Sequence, residues 1–154
     1  MYQYRIEKDR LPITIKLDGG DCIEGHIFVQ PSVYRHLGRE EAIDLLNAPE
    51  PFFPIVGTDG STLLIAKDRV MEAWPVQPDE DEELRLAGTR EALLELVLVD
   101  GTVRSGTIPL ELPSDRPRLL DFLNSHSERF LALHAADAIH LINTRVIKCI
   151  RPLD

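Results

Sequence analysis

The feature that most restricts the fold of this sequence is that its second half repeats its first. Asp18-Gly19 aligns with Asp100-Gly101 at an offset of 82 residues, and after a one-residue gap Gly25 and Ile27 align with Gly106 and Ile108. From residue 39 to residue 75 the offset holds at 77 and aligns further identities. These pair Arg39, Asp44, Leu46, Asn47, Phe53, Leu64, Ile65 and Pro75 with Arg116, Asp121, Leu123, Asn124, Phe130, Leu141, Ile142 and Pro152. Such a register indicates a tandem repeat of one folding unit.

The repeat divides the chain into two units and a connecting segment. Residues 1–75 hold the first unit and residues 93–154 the second, and residues 76–92 include the run Asp79-Glu80-Asp81-Glu82-Glu83. Charge runs of this kind are typical of solvated spacers rather than of packed elements. We therefore predict an acidic linker over 76–92.

Each half shows the pattern of a hairpin followed by a helix. Apolar and polar residues alternate from Ile13 to Leu17, and the glycines after Asp18 predict a tight turn into a return strand over 23–29. The equivalent strands are predicted at 94–99 and 103–110, and the first of these is apolar on both faces, which predicts deep burial. A short helix follows from Arg39 to Leu46, with Asn47 as a left-handed cap, and its counterpart runs from Ser114 to Asn124.

Three more short strands complete each half, at 53–56, 62–66 and 70–74 and at 130–133, 139–142 and 146–150. Gly25 and Gly106 fall inside strands, where a missing side chain permits sharp bending. Five short strands and one helix in each half predict a mainly β protein. The expected architecture is two tandem small SH3-like or Sm-like barrels, each with a helix inserted between strands 2 and 3.

Composition narrows the class of function. The formal net charge of -9 opposes non-specific binding to nucleic acid, which depends on basic residues. No apolar run is long enough to span a bilayer, and Met1 to Arg10 does not resemble a signal peptide, so we expect a cytoplasmic protein. Cys22 and Cys149 are predicted to be small buried apolar residues. Because neither the cysteines nor the five histidines have a ligand spacing, we expect no metal and no cofactor.

The recurring motif Arg-x4-Asp-x-Leu-Asn allows two interpretations. Its Arg, Asp and Asn side chains could surround a polar ligand, or the Asp and Asn near the helix could satisfy local backbone groups. Because Arg and Asp five residues apart lie on different sides of a helix, the structural interpretation is the stronger.

The second half resembles a known family. It contains Gly106-Thr107-Ile108, then Arg116 to Asn124, then Phe130-Leu131-Ala132-Leu133. This succession resembles an uncharacterised bacterial small-barrel domain family with a Gly-x-Ile, Arg-Leu-x-Asp-Phe-Leu-Asn, Phe-Leu pattern, and the first half matches it more loosely. The resemblance implies tandem small barrels and no particular activity.

Residues 97–108 are also distantly similar to the opening strands of Sm-like domains, whose RNA site uses an Arg-Gly pair before the last strand. Lys67-Asp68 and Asn143-Thr144 stand at the corresponding places, so the resemblance concerns the fold. Separately, Arg35-x3-Arg39 and Asp59-Gly60-Ser61 resemble elements of PilZ-type cyclic-dinucleotide receptors. The final glycine of that pattern is replaced by Leu64.

We therefore expect a non-catalytic protein-interaction or regulatory module that presents a strand edge or loop to a protein partner or to itself. The alternative is a sensor of a small anion or nucleotide, of the cyclic-dinucleotide type. Sm-like RNA binding is a weaker alternative. An enzyme is not expected, because the sequence has no nucleophile elbow and no phosphate-binding glycine loop. The candidate ligand-binding residues are Arg35, Arg39, Arg116 and Arg118.

Overall fold

The structure is a computed structural model that describes residues 9–29, 41–76, 90–110 and 119–153. The protein is mainly β, and all strand pairs described below are antiparallel. The described residues up to Pro75 form one compact unit, and those from Val76 onward form a second.

The first unit contains five strands, one helix and one 3-10 helix. They are β1 (Asp9–Leu17), β2 (Cys22–Val29), α1 (Ala42–Asn47), β3 (Phe52–Gly57), β4 (Thr62–Ala66), the 3-10 helix Lys67–Arg69 and β5 (Val70–Pro75). Within the unit the strands are ordered β5-β1-β2-β3-β4. The last strand therefore pairs with the first.

The second unit has the same succession of elements. They are β6 (Arg90–Leu98), β7 (Val103–Leu110), α2 (Leu119–Ser125), β8 (Phe130–His134), β9 (Ile139–Asn143), the 3-10 helix Thr144–Val146 and β10 (Ile147–Pro152). The strand order β10-β6-β7-β8-β9 matches that of the first unit. β6 begins at Arg90, so the last three residues of the predicted linker belong to this strand, and the acidic run itself lies outside the described residues.

Equivalent hydrogen bonds tie the first hairpin of each unit to its 3-10 helix. The Asp18 N–H donates to the Arg69 carbonyl, and the Val99 N–H donates to the Val146 carbonyl, each at 2.9 Å. Asp18 is therefore the structural counterpart of Val99, at an offset of 81. The same offset relates Gly25 to Gly106, so the hairpins align without the gap that the sequence alignment introduced.

Gly25 and Gly106 occupy places where the backbone of a neighbouring strand approaches closely. A Cβ atom at Gly106 would lie 2.6 Å from the His134 carbonyl oxygen, and one at Gly25 would meet the Val56 carbonyl oxygen. Ordinary carbon–oxygen contacts are longer, so only glycine fits at either place without movement of the neighbouring strand. This shared crossing makes Val56 the counterpart of His134.

The registers of the last hairpins agree with that correspondence. Phe52 lies opposite Ala66 in the β3–β4 ladder, and Phe130 lies opposite Asn143 in the β8–β9 ladder. Ala66 and Asn143 both immediately precede a 3-10 helix, so Phe52, rather than Phe53, is the structural counterpart of Phe130. The sequence alignment was wrong by one residue at this strand.

Each unit buries its own set of aliphatic side chains. In the first unit, Ile15 on β1, Ile27 on β2, Leu46 on α1 and Ile55 on β3 are fully buried. In the second unit, one face of β6 is fully buried through Leu94, Leu96 and Leu98. The opposite face of the predicted strand is part-exposed, since Glu95 and Val97 are half-buried and Val99 is 61% exposed, so the predicted deep burial holds for one face alone.

Two further expectations are corrected. Cys22 and Cys149 are both exposed free thiols rather than buried apolar residues. Helix α1 does not end in a left-handed cap at Asn47, because no described non-glycine residue has positive φ. Its C-cap is Ala48, with φ -64° and ψ 155°, and this extended conformation is the one favoured for a residue that precedes proline, here Pro49.

Candidate functional site

The four arginines predicted to bind a ligand lie outside the described residues. They are Arg35, Arg39, Arg116 and Arg118. Ser114 and Pro117, predicted at the start of the second helix, lie outside them as well. The parts of the recurring motif that are described are its Asp, Leu and Asn positions.

Asp44 caps the start of α1. The Glu41 N–H donates to Asp44 Oδ2 at 2.9 Å, and the Glu41 side chain accepts a hydrogen bond from the Asp44 N–H. This reciprocal arrangement is a capping box, which satisfies backbone donors that a helix start would otherwise leave unpaired. The geometry of Asp44 thus agrees with the structural interpretation of the motif. In the second unit, Asp121 lies in the first turn of α2 and is exposed, as is Asn124.

Asp59-Gly60-Ser61, which resembles part of a nucleotide-binding pattern, forms the turn between β3 and β4. The Gly57 N–H donates to the Ser61 carbonyl at 2.8 Å, and Gly60 has a φ of 85°. Asp59 Oδ1 accepts hydrogen bonds from the Ser61 hydroxyl at 2.7 Å and from the Ser61 N–H at 2.9 Å. These bonds, with the hydroxyl first, lower the pKa of Asp59. Asp59 therefore stabilises a hairpin turn.

The positions that correspond to the Sm-like RNA pocket are engaged with the protein's own backbone. Lys67 is 1% exposed, and its Nζ donates to the carbonyl of Ala48 at 3.0 Å, just after α1. In the second unit, buried Asn143 accepts from the Arg145 N–H at 3.0 Å, and the Thr144 hydroxyl donates to the Arg129 carbonyl at 3.2 Å. These side chains stabilise the 3-10 helices and the ends of the hairpins.

The described side chains that could bind a metal ion do not form a cluster. In the part of the chain that the structure describes, no three His, Cys, Asp or Glu side chains are grouped to hold a metal ion. His126 lies 5.8 Å from Phe122, measured between ring centroids, and its Nε2 is 3.2 Å from the Phe130 carbonyl oxygen. Because that oxygen can only accept, Nε2 carries the proton, and this hydrogen bond connects the end of α2 to β8.

None of the described helices has the length and apolar character needed to cross a membrane.

An exposed apolar surface lies on the outer side of the β3–β4 hairpin. Phe52 is 58% exposed and Leu64 is 72% exposed. Pro54 lies directly opposite Leu64, and Phe52 lies opposite Ala66, so these side chains share one face of the hairpin. We call this surface the outer face; it consists of Phe52, Pro54, Val56, Thr62, Leu64 and Ala66.

The strand that carries this surface also has an open edge. β4 pairs with β3 alone among the described strands, and its sequence Thr62-Leu63-Leu64-Ile65-Ala66 contains neither a charge nor a proline. Exposed strand edges are usually protected by charges, prolines or bulges, since free backbone donors and acceptors attract other strands. β10, which pairs with β6 alone, has such protection in Lys148, Arg151, Pro152 and a register shift. The edge of β4 has no charge, proline or register shift.

The same surface is covered in the second unit. Phe130, the counterpart of Phe52, is fully buried, and Leu141, the counterpart of Leu64, is 1% exposed. All five residues of β9 are buried, whereas Thr62, Leu63 and Leu64 of β4 are exposed. The two units therefore differ in the exposure of this hairpin, and the β4 edge with the outer face is the candidate site.

This site was not among the predicted sites, although the sequence contains a signal for it. Phe52-Phe53 and Leu63-Leu64-Ile65 are uninterrupted apolar runs within strands. Successive side chains in a strand point to opposite faces, so such runs make both faces of the hairpin apolar. One apolar face belongs to the core of the unit, and the other requires a partner or remains exposed.

Comparisons with known proteins found no match. No protein-family model matches it. No curated protein matches it. No solved structure matches it.

Proposed function

We propose that this protein is a non-catalytic protein-interaction module that binds through the β4 edge and the outer face. The observation that carries the proposal is the combination of an unprotected strand edge with a 72% exposed Leu64 and a 58% exposed Phe52. Contiguous exposed apolar patches on soluble proteins commonly mark interaction sites. The partner is a protein segment that can lie extended beside β4.

The binding mode that fits such an edge is strand addition. An added strand would form main-chain hydrogen bonds with the free edge of β4, and its side chains would cover the outer face. Full burial of a Leu or Phe side chain contributes about 1.5 to 3 kcal/mol, so Phe52 and Leu64 together would supply a substantial part of the binding free energy. The acidic chain favours a partner whose remaining contacts are neutral or basic.

We also propose that the two units are duplicated small barrels of the SH3-like or Sm-like kind. The support is the shared order of five strands, the glycine crossings at Gly25 and Gly106, and the equivalent bonds from Asp18 and Val99 to the 3-10 helices. Duplication lets one copy keep its surface covered while the other acquires a binding surface. The exposed β3–β4 hairpin of the first unit would then be the specialised part.

Ligand sensing through Arg35, Arg39, Arg116 and Arg118 is the alternative that a screen can separate from the proposal. A ligand at 100 times its dissociation constant stabilises its target by about 2.7 kcal/mol. Thermal melting with inorganic phosphate, nucleotides and cyclic dinucleotides should therefore leave the protein unshifted if it is an interaction module. A cyclic dinucleotide that raises the melting temperature would favour sensing instead.

The direct test compares Leu64→Lys with the matched control Leu120→Lys. Leu120 is 66% exposed on α2, so both substitutions place a charge at an exposed leucine, and neither should alter folding. In pull-downs from a lysate of the native host, followed by quantitative mass spectrometry, proteins retained by the wild type and by Leu120→Lys should be lost from Leu64→Lys. Equal recovery by all three proteins would contradict the proposed surface.

A further inference from the structure

We propose that β4 pairs with β4 of a second copy of this chain, antiparallel across a two-fold axis. This inference rests on the proposed function and names the partner of the same surface. Two-fold dimers are the commonest oligomers, and they require a surface that is complementary to itself. An uncharged strand edge flanked by an apolar face meets that requirement.

The length of β4 fixes the register of the pair. β4 has five residues, and all five pair only when Leu64 of one copy faces Leu64 of the other. Thr62 then lies opposite Ala66 of the second copy, and Leu63 lies opposite Ile65. Because opposite residues share a face, the two Leu64 side chains join the outer faces into one apolar surface.

Charge limits where a second copy can bind. Each chain carries a formal charge of -9, so two copies approach most easily where neither presents a charge, as on β4. Asp59 precedes Leu64 by five residues, and Arg69 follows Leu64 by five residues. In this two-fold register, the turn with Asp59 of one copy therefore lies beside the 3-10 helix with Arg69 of the other copy. Both residues are exposed.

The dimer would thus have an apolar centre, with an Asp59–Arg69 pair of opposite charges at each end. Arg69 already lies 3.0 Å from Asp18 within its own chain, but both side chains are more than half exposed and can accept another partner. The equivalent strand of the second unit, β9, is buried throughout and offers no such surface.

The first experiment is sedimentation equilibrium of the full chain over a range of concentrations. The wild type and Leu120→Lys should dimerise with equal dissociation constants. Leu64→Lys places two ammonium groups on the two-fold axis, where juxtaposed like charges should raise the dissociation constant about a hundredfold or more. Circular dichroism should show that both variants are folded.

A charge exchange tests the register. Asp59→Arg faces Arg69 with a like charge, and Arg69→Glu faces Asp59 with one, so each variant alone should dimerise about tenfold more weakly. A mixture of the two variants restores opposite charges at both ends of the interface and should form a mixed dimer. Detection of this mixed dimer by native mass spectrometry excludes simple destabilisation as the cause.

A cross-link tests the position of the axis. Opposite Cα atoms of an antiparallel pair lie about 4.5 to 5.5 Å apart, a distance that a disulfide can bridge. In a chain that carries Cys22→Ser and Cys149→Ser, oxidation of Leu64→Cys should give a disulfide-linked dimer on non-reducing gels. The same chain with Leu120→Cys should remain mostly unlinked.

The outcomes separate this inference from the proposed function. Dimerisation that is lost in Leu64→Lys and recovered in the charge-exchange mixture supports the paired β4 strands. If the wild type is monomeric at every concentration and the Leu64→Lys variant loses other protein partners, self-pairing is overturned and the interaction surface stands. A dimer that Leu64→Lys does not weaken overturns the inference. If that variant also loses no partner in pull-downs, the proposed function fails too.

Discussion

Replacement of Gly106 by alanine should destabilise the second unit, because the backbone of β8 at His134 passes too close to Gly106 to leave room for a Cβ atom. The added Cβ would lie 2.6 Å from the His134 carbonyl oxygen and 3.0 Å from its carbon, and 3.1 Å from Leu133 Cγ. His134 is paired with Ile139 in the β8–β9 ladder, so its carbonyl cannot move away without disturbing that hairpin. Forcing an extra carbon into a packed site typically costs about 1 to 3 kcal/mol.

Urea denaturation measures this cost. With a slope of about 2 kcal/mol per molar urea, a loss of about 2 kcal/mol moves the midpoint down by about 1 M. Gly25→Ala should cost at least as much, since the built Cβ at Gly25 approaches the Val56 carbonyl even more closely. Gly57→Ala is the matched control, because its Cβ would first meet the movable side chain of Asp59, at 3.2 Å.

Hydrogen exchange locates the damage. Gly106→Ala should accelerate amide exchange in β7, β8 and β9, and the backbone of Gly57→Ala should exchange as in the wild type. If Gly106→Ala unfolds within about 0.5 kcal/mol of the wild type, the close approach does not constrain the strand and the physical reasoning is refuted.

Three further predictions concern side chains. Lys67→Met removes the ammonium that donates to the part-buried carbonyl after α1, and loss of this hydrogen bond should lower the free energy of unfolding by about 1 kcal/mol in urea denaturation. Ser61→Ala should raise the pKa of Asp59 toward its usual value of 3.8, as measured by NMR titration. Because the pKa of Asp59 is lowered in the folded protein, its contribution to stability is present above the unfolded pKa and is lost as pH falls through the folded one. Ser61→Ala should therefore flatten this acid dependence, and an unchanged titration would contradict the hydrogen bonds. Cys22 and Cys149 should both react with a thiol reagent in the native protein, at two thiols per chain, and protection of either would contradict their exposure.

Much of the fold could be predicted from local sequence signals. The strand over 62–66 was predicted at its observed bounds, and the hairpin turns were predicted from glycines that have positive φ, such as Gly19 and Gly101. Turns and alternating strands are governed by nearby residues, so a single sequence carries their signal. The mainly β prediction followed from these signals and was confirmed.

What could not be predicted depends on which surfaces are covered. Residues 92–98 are apolar apart from Glu95, yet the adjacent residues Leu93 and Leu94 of β6 are 41% and 0% exposed. Cys22 and Cys149 lie on strands but at exposed positions, so the average preference of cysteine for burial did not predict their exposure. Burial of this kind is a property of the assembled unit.

The exposure of the candidate site likewise could not be predicted from the sequence pattern alone. The apolar run at Leu63-Leu64-Ile65 is visible in the sequence, but the same kind of run at residues 141 and 142 is buried. β4 and β9 each end the strand order of their unit, so it is the burial observed in the structure, and not the sequence pattern, that distinguishes them. The one-residue error at Phe53 arose for a related reason, since the ladder register, rather than residue identity, sets which side chains are equivalent.

In each unit the last strand pairs with the first. Ile13 lies opposite Pro75, and Leu94 lies opposite Pro152. The two ends of each unit are thus neighbours in space, so a short peptide could join them while the chain is reopened at another turn. A circular permutant of the first unit that begins at Ser61, within the β3–β4 turn, would keep every strand in place. It would place a new chain terminus beside β4, where a fused label could report directly on what occupies that edge.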